Sequence, residues 1–217
     1  MIYLTDIVLG APDPAVRDAW VAETQALSGR LGPCAAELFE ISEDIRDAHY
    51  AYVGLRAWAA DPDLEDALAG GALDGSVAGR PVERVVLRLR TQLGAPAPTA
   101  PGTVWLVNPF EIAGAEIAGA LAMWDRAKDH MEAHAGFVNA RLFRARSPHA
   151  RYGLLNVSQW RSAADFKAAL GDRAYDRHRA RSLAYRLHPS LCRRVVAPVD
   201  GPPGVAGPAA AGLVAAD

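Results

Sequence analysis

Cysteine is scarce in this 217-residue sequence, charge of either sign is in little excess, and no long apolar run occurs. Two cysteines, Cys34 and Cys192, provide no disulfide framework, so the fold must rest on a hydrophobic core and the expected setting is the reducing cytoplasm. Lys plus Arg number 23 against 25 Asp plus Glu, a formal charge of -2, which leaves no electrostatic footprint for nucleic acid. No segment approaches the roughly 18 apolar residues that would read as a membrane span. Met1 to Gly10 carries Asp6 and no basic n-region, so neither membrane insertion nor a secretory leader is expected. The glycines form no Rossmann or Walker pattern, the Cys and His residues lack zinc spacing, and there is no Gly-x-Ser-x-Gly elbow. The easily read enzyme classes are thereby set aside. What is present is a composition 51% hydrophobic and 22% charged, enough to build a globular core.

The segment Gly94 to Gly102, G-A-P-A-P-T-A-P-G, cannot pack a core and reads as an extended, semi-rigid linker. The sequences on either side are repeats. Trp20 falls on Trp124, Gly32 on Gly136 and Leu38-Phe39 on Leu142-Phe143 at an offset of 104. After a loop two residues shorter, Tyr50 falls on Tyr152, Trp58 on Trp160, Asp63 on Asp165 and Leu68 on Leu170 at an offset of 102. The chain thus divides into residues 1–93, a linker 94–102, a second unit 103–197, and an Ala/Pro/Gly-rich tail 198–217 expected to be loosely held.

In the second unit, Val104 to Val107 is a β-rich run that Pro109 is expected to end. Ile117, Leu121, Trp124 and Met131 recur at helical spacing from Glu116 to His134, and Gly136 stands where a helix stop belongs. Phe137 to Phe143 alternates, with Val138, Ala140 and Leu142 expected on one face and Phe137, Asn139, Arg141 and Phe143 on the other. A strand from Tyr152 to Trp160, a helix from Ala163 to Leu170 capped by Ser162, a basic helical stretch from Tyr175 to Leu187 and a strand from Leu191 to Ala197 follow. The order β-α-β-β-α-β is ferredoxin-like, so the fold class is α+β with two such units in tandem.

The stretch W-D-R-A-K-D-H-M-E-A-H-A-G-F-V-N-A-R-L-F-R, followed by R-Y-G-L-L-N-V-S-Q-W-R-S-A-A-D-F-K-A-A-L, resembles the antibiotic biosynthesis monooxygenase family over most of residues 103 to 197. Residues 1–93 resemble it more faintly, through Tyr52 to Trp58. Members are usually single units that dimerise into an α/β barrel, so the resemblance implies both halves of such a barrel on one chain, an intramolecular dimer, with a homodimer as a further assembly. A tandem arrangement is also similar to the flavin-dependent oxygenases that open the B ring of angucycline polyketides in jadomycin, gilvocarcin and kinamycin pathways. It implies an aromatic polyketide and molecular oxygen as substrates, and a separate reductase supplying reduced flavin (FADH2 or FMNH2) as a diffusible cosubstrate. A cofactor-independent conversion of a polycyclic phenol to a quinone is the alternative. A non-catalytic polyketide-binding protein is a third reading.

Asn156 and Trp160 are four apart on a strand and share a face with Tyr152 and Ser158, a combination of amide, hydroxyl and indole donors suited to orienting a phenolic oxygen. The resemblance implies that Asn156 and Trp160 are active-site residues. Phe137, Arg141, Phe143 and Trp105 join them as candidate substrate contacts. His130 and His134, one helical turn apart, could relay a proton. Gly54 stands where Asn156 does and Arg56 where Ser158 does, so residues 1–93 carry an altered pocket in which Arg56 could hold an anion. Haem-degrading relatives place a ligand histidine on the helix after the tryptophan; Arg161 to Asp172 has none, and neither haem nor metal is expected. Quinone-forming relatives have a proton-relay tyrosine there, where this sequence has Phe166.

Overall fold

Alternating and helix-spaced apolar residues give, in the computed structural model, ten strands and five α-helices among the described residues, which are 1–61, 64–71, 73, 75–197 and 214–215. The chain begins with β1 (Ile2–Leu9), α1 (Pro14–Leu31), β2 (Ala35–Asp44), β3 (Tyr50–Trp58), α2 (Leu64–Ala69), the short β4 (Ser76–Val77) and β5 (Arg80–Leu93). It continues with β6 (Val104–Phe110), α3 (Ile117–Glu132), β7 (Phe137–Ala145), β8 (Leu154–Trp160), α4 (Ala163–Gly171), α5 (Asp176–Ser182) and β9 (Ser190–Ala197). The fold is mixed α+β with antiparallel strand pairing. Asp63, matched to Asp165 in the repeat, lies outside the described residues, as does the tail except for β10 (Val214–Ala215), which pairs with Ala197 and Val196.

By their internal contacts, Met1–Ile41, His49–Arg88 and Arg194–Asp217 form one unit, and Ser42–Ala48 with Leu89–Arg193 form the other. In the first unit β1 lies between β3 and β5, and Asp6 pairs with Gly54 on one side and Arg84 on the other. Asp13 caps α1 by accepting from the Ala15 N–H at 3.0 Å, with Pro14 pre-set for the first turn. The helix lays Trp20, fully buried, against Val8, Leu38 and Tyr52. In the second unit β6 lies between β8 and β9, and β7 pairs beyond β8. Trp124 of α3 packs with Phe110, Leu142 and Leu154; α4 adds Phe166 and Ala169 against Trp160.

Several local features depart from what the sequence pattern predicts. β6 runs through Pro109 to Phe110, because its pairing with β9 stops at Val107↔Ser190 and the missing proline N–H interrupts no ladder there. Gly136 does not adopt the left-handed helix-stop conformation; a Cβ there would stand 2.1 Å from the Asp165 Cβ, so closeness of α4 requires the glycine. β8 begins at Leu154, leaving Tyr152 ahead of the strand. The basic stretch is helical only to Ser182, opening with a 3-10 turn at Arg173–Tyr175 whose Ala174 N–H is held by the Asp172 carboxylate at 2.9 Å. The linker after β5 is pinned along its first half: Asn139 donates to the Ala95 carbonyl, and Gln159 to those of Ala97 and Pro98.

Both cysteines are free thiols. Cys192 is buried, and burial pushes the Cys34 thiol above its ordinary range against the opposing effects of a Ser28 hydrogen bond and Arg56. Native protein at pH 8 is therefore expected to react with Ellman's reagent far more slowly than free cysteine does, with two thiols released on denaturation. Rapid native labelling of Cys34 would contradict its described environment.

Candidate active site

One face of the second unit's sheet is built from directly opposed cross-strand pairs. Asn108 faces Asn156, Leu106 faces Ser158 and Val104 faces Trp160 across β6 and β8. On β7, Phe137 faces Trp160, Ala140 faces Ser158 and Leu142 faces Asn156. Opposed residues project to the same side of a sheet. That side carries α3 and α4, and between sheet and helices lies a cavity of about 270 Å³. Its walls are mostly apolar and aromatic, with Phe110, Trp124, Phe137, Trp160 and Phe166 among them.

The polar groups in this wall are few and defined. The Trp124 Nε1–H donates to Asn156 Oδ1 at 3.2 Å. An indole nitrogen can only donate, so the atom facing it must be the amide oxygen, and the Asn156 NH2 is left without an acceptor among the described residues. Asn108 is fixed in the same sense: its Oδ1 accepts the His188 backbone N–H at 3.1 Å, and its own NH2 has no acceptor among the described residues. Two amide donors therefore stand side by side on adjacent strands of an apolar cavity. The Trp160 indole donates to Ser158 Oγ at 3.1 Å, which makes Trp160 a wall and leaves the Ser158 hydroxyl proton as the third available donor.

Tyr175, on the 3-10 turn after α4, supplies the cavity's phenol. Burial pushes its pKa up, outweighing the downward pull of Arg179 and Arg46, so it is a neutral O–H at physiological pH. It is a hydroxyl that the sequence reading did not select, because it lies past Asp172, beyond the helix on which a tyrosine was sought. Asn108, Trp124 and Arg46 were likewise not selected. Asn108 looked like a strand terminator before Pro109, and Trp124 like ordinary core. Arg46 reaches the cavity from residues 42–48, distant in sequence from every other wall element.

Of the sequence-selected residues, Asn156, Ser158, Trp160 and Phe137 meet at the cavity. Phe137 joins this group because of a bulge. Val138 is skipped in the pairing of β7 with β8, and the extra residue inverts the alternation, putting Phe137 on the side of Ala140 and Leu142. The same inversion separates Phe137 from Arg141 and Phe143, which pair with Val157 and Leu155 on the opposite face, where the Arg141 guanidinium lies 5.7 Å from the Phe143 ring centroid. Trp105 pairs with Gln159 and also belongs to that face. Tyr152, ahead of β8, packs its ring edge-on to His188. His130 and His134 flank the cavity without lining it: His130 stacks on Tyr175 with centroids 5.2 Å apart, and its Nε2 lies 3.3 Å from the Ala169 carbonyl.

Arg56 lies in the first unit, fully buried. Its guanidinium binds Asp6, the Glu23 carboxylate at 2.8 Å and Thr24 Oγ1 at 2.8 Å, so each of its three nitrogens already has a partner and its charge is matched by carboxylates of the chain rather than offered to an incoming anion. Arg84 completes the cluster, reaching Asp6 at 3.0 Å and Glu23 at 2.8 Å. The Trp20 indole also donates to Asp6, at 2.6 Å, and a Cβ on Gly54 would fall 2.6 Å from that same nitrogen. Thus at corresponding sheet positions the first unit has Asp6, Gly54 and Arg56 where the second has Asn108, Asn156 and Ser158. Ion pairs and an inward-set tryptophan fill the first. Short neutral side chains leave the second open.

Solved structures share this architecture. An anthrone oxidase-like protein superimposes with a TM-score of 0.64 at 14% identity, covering 89% of this chain and 91% of its own. A protein described as a candidate monooxygenase from Fusobacterium nucleatum gives a TM-score of 0.57 at 7% identity over the same shares, 89% and 91%. A major regulator of staphylococcal pathogenesis gives 0.51 at 9% identity, covering 88% of this chain and 98% of its own. At such identities the likeness is one of fold. No family model matches the sequence, and no curated protein matches it. Among the described residues there is no group of three or more His, Cys, Asp or Glu placed to hold a metal ion, and no helix long and apolar enough to cross a membrane.

Proposed function

We propose that this chain is an oxygenase that uses molecular oxygen to convert a fused aromatic phenol, of the anthrone type found among polyketides, to a quinone in the cavity of the second unit. The observation that carries the reading is the pair of amide donors, Asn108 and Asn156, that have no acceptor among the described residues, set side by side in a mostly apolar and aromatic cavity. Oxygen is a triplet and reacts slowly with closed-shell organics, so it needs an electron-rich partner. An anthrone becomes one when its carbonyl oxygen takes up the charge of the enolate. Fixed N–H donors in a water-poor pocket favour that oxyanion. Oxygen then bonds to the opposite ring carbon. The O–O bond breaks as that carbon becomes a carbonyl, and the second oxygen leaves as water with the two hydrogens the carbon has lost. Tyr175, held neutral, is the group we assign to donate a proton to the departing oxygen.

Flavin-dependent opening of an angucycline B ring needs room for a tetracyclic substrate beside a reduced flavin. A cavity of about 270 Å³, just below the usual range of ligand pockets, suits a single fused ring system, and this favours the cofactor-independent route. The repeat further supports reading residues 1–93 and 103–197 as two ferredoxin-like units of a duplicated barrel-type oxygenase, with the first having lost its pocket. A non-catalytic binding protein is the second reading, motivated by the regulator that shares the fold.

Incubation with anthrones and polycyclic phenols under ¹⁸O₂, with and without reduced flavin, tests these alternatives. We expect one labelled oxygen in the quinone, no dependence on flavin, and full activity in the presence of chelators. Incorporation only with reduced flavin would install the flavin route. Loss of activity on chelation with recovery on adding one metal would remove both, and tight binding without oxygen uptake would favour the accessory protein.

A further inference from the structure

Three cationic side chains line the cavity, Arg46, Lys128 and Arg179, and no carboxylate does among the described residues. Two of the three are compensated nearby. Lys128 pairs with Asp129, and Arg179 with Asp176 at 3.0 Å. Arg46 differs in having no carboxylate within ion-pairing distance among the described residues, Asp47 acting on it only from farther off: its Nε reaches the Leu187 carbonyl and its Nη1 the Ser182 hydroxyl, each at a long 3.4 Å. A half-buried guanidinium with two weak neutral contacts is incompletely solvated, and an incoming anion would relieve that deficit. Burial depresses its pKa, opposed by Tyr175 and Asp47, in keeping with this environment.

The position of Arg46 is fixed by backbone rather than by its own charge. The Ile45 and Arg46 N–H groups both donate to the Pro189 carbonyl, at 3.1 and 3.2 Å, and the next residue, Asp47, offers its carbonyl to His188 Nδ1 at 2.8 Å. Asp47 takes a left-handed backbone conformation at φ 52°, which turns the chain sharply just after the arginine. Arg46, Leu183 and Leu187 also border a second hollow of about 180 Å³, whose other walls include Asp47, Tyr185, Arg186 and His188. The arginine therefore stands where an apolar chamber meets a polar one.

We infer that Arg46 is an anion anchor, and that the ligand of the cavity carries a carboxylate side chain on its fused aromatic body, the rings lying in the main cavity and the carboxylate at its junction with the second hollow. This deepens the oxygenase reading by naming a substrate class and rests on it for the ring system; the anchor itself is a binding property.

Calorimetric titration with anthraquinone-2-carboxylate and anthraquinone-2-carboxamide tests it on the full chain. Both probes are already quinones, so the measurement reads binding alone. The acid is expected to bind wild-type protein about 10- to 100-fold more tightly than the amide, the range of a charge-assisted hydrogen-bonded pair. Arg46→Gln should abolish the preference, Arg46→Lys should keep part of it, and added salt should weaken the acid more than the amide. Equal affinities on the wild-type protein, a preference that survives Arg46→Gln, or no binding of either probe each overturns the assignment. Acid-selective binding without ¹⁸O incorporation into any phenol would retain the anchor and sink the oxygenase reading. Equal affinities for the two probes together with ¹⁸O incorporation into an anthrone would do the reverse.

Discussion

Asn156→Ala is expected to lower kcat for quinone formation by roughly 10²- to 10³-fold, the usual consequence of removing one oxyanion donor, with a smaller change in KM. The reason is geometric: the Asn156 amide is locked by Trp124 so that its NH2 is the free end, and that donor matters most when charge has moved onto the substrate oxygen. Asn156→Asp separates this role from packing. It keeps an acceptor for the Trp124 indole and the same side-chain shape, yet loses the donor and adds a like charge beside the developing oxyanion. Its activity should fall at least as far as that of the alanine variant. Trp124→Phe should cost less, since it frees the amide to rotate without deleting it. Steady-state oxygen consumption on all three variants, each checked for native circular dichroism, reads the outcome. If Asn156→Asp retains near wild-type kcat, the donor role is wrong.

The second large effect is on stability. Arg56→Ala should destabilise the protein by about 3–5 kcal/mol, because it leaves buried carboxylates short of a partner rather than because the ion pair is strongly stabilising in itself. Asp6 is fully buried and would retain Arg84 and the Trp20 indole; Glu23 would retain Arg84 alone. A loss of that size is a large share of the roughly 5–15 kcal/mol that holds a domain together. Burial already pushes the Glu23 carboxyl above its ordinary range, opposed by Arg56, with Asp6 adding to the rise and Arg84 resisting it. Removing Arg56 raises it further, so the folded state takes up a proton that the unfolded chain releases at lower pH. The penalty should consequently be smallest in acid and grow as pH rises through that shifted value. Urea denaturation of wild type and Arg56→Ala at pH 5 and pH 8 measures both statements; equal stability at pH 8 would mean that the cluster is solvated in some other way.

Periodic patterns led to the element types because alternation and helical spacing are local properties; strand spacing and the family resemblance singled out Asn156 and Trp160, and the cross-half comparison the Gly54 difference. What sequence could not supply was anything dependent on an irregularity or on distant chain. A single skipped residue at Val138 reverses the parity that assigned Phe137 to the same face as Arg141 and Phe143. Asn108 was obscured by the proline after it, whose effect depends on where a neighbouring ladder happens to end. The hydrogen bond of the Trp160 indole to Ser158, which takes its N–H away from the cavity, is a side-chain orientation that no spacing rule sets. Arg46 has no local signal at all, since only the path of residues 42–48 carries it to Leu93 and to wall residues from Leu106 onward.

That path also constrains how such a chain can change by gene rearrangement. The sequence repeat invites the idea that a break within Gly94 to Gly102 would release two independent proteins. Yet residues 42–48 and 89–93 group with the second unit, and 194–197 group with the first. A product starting after the linker would lack the arginine and the Ile45 and Leu93 walls of its own cavity, and one ending before it would lack Val195 and Val196 from its own core. Where the halves read from sequence and the units read from contacts differ in this way, fission is not the reverse of fusion: each fragment would lack a piece that the other carries.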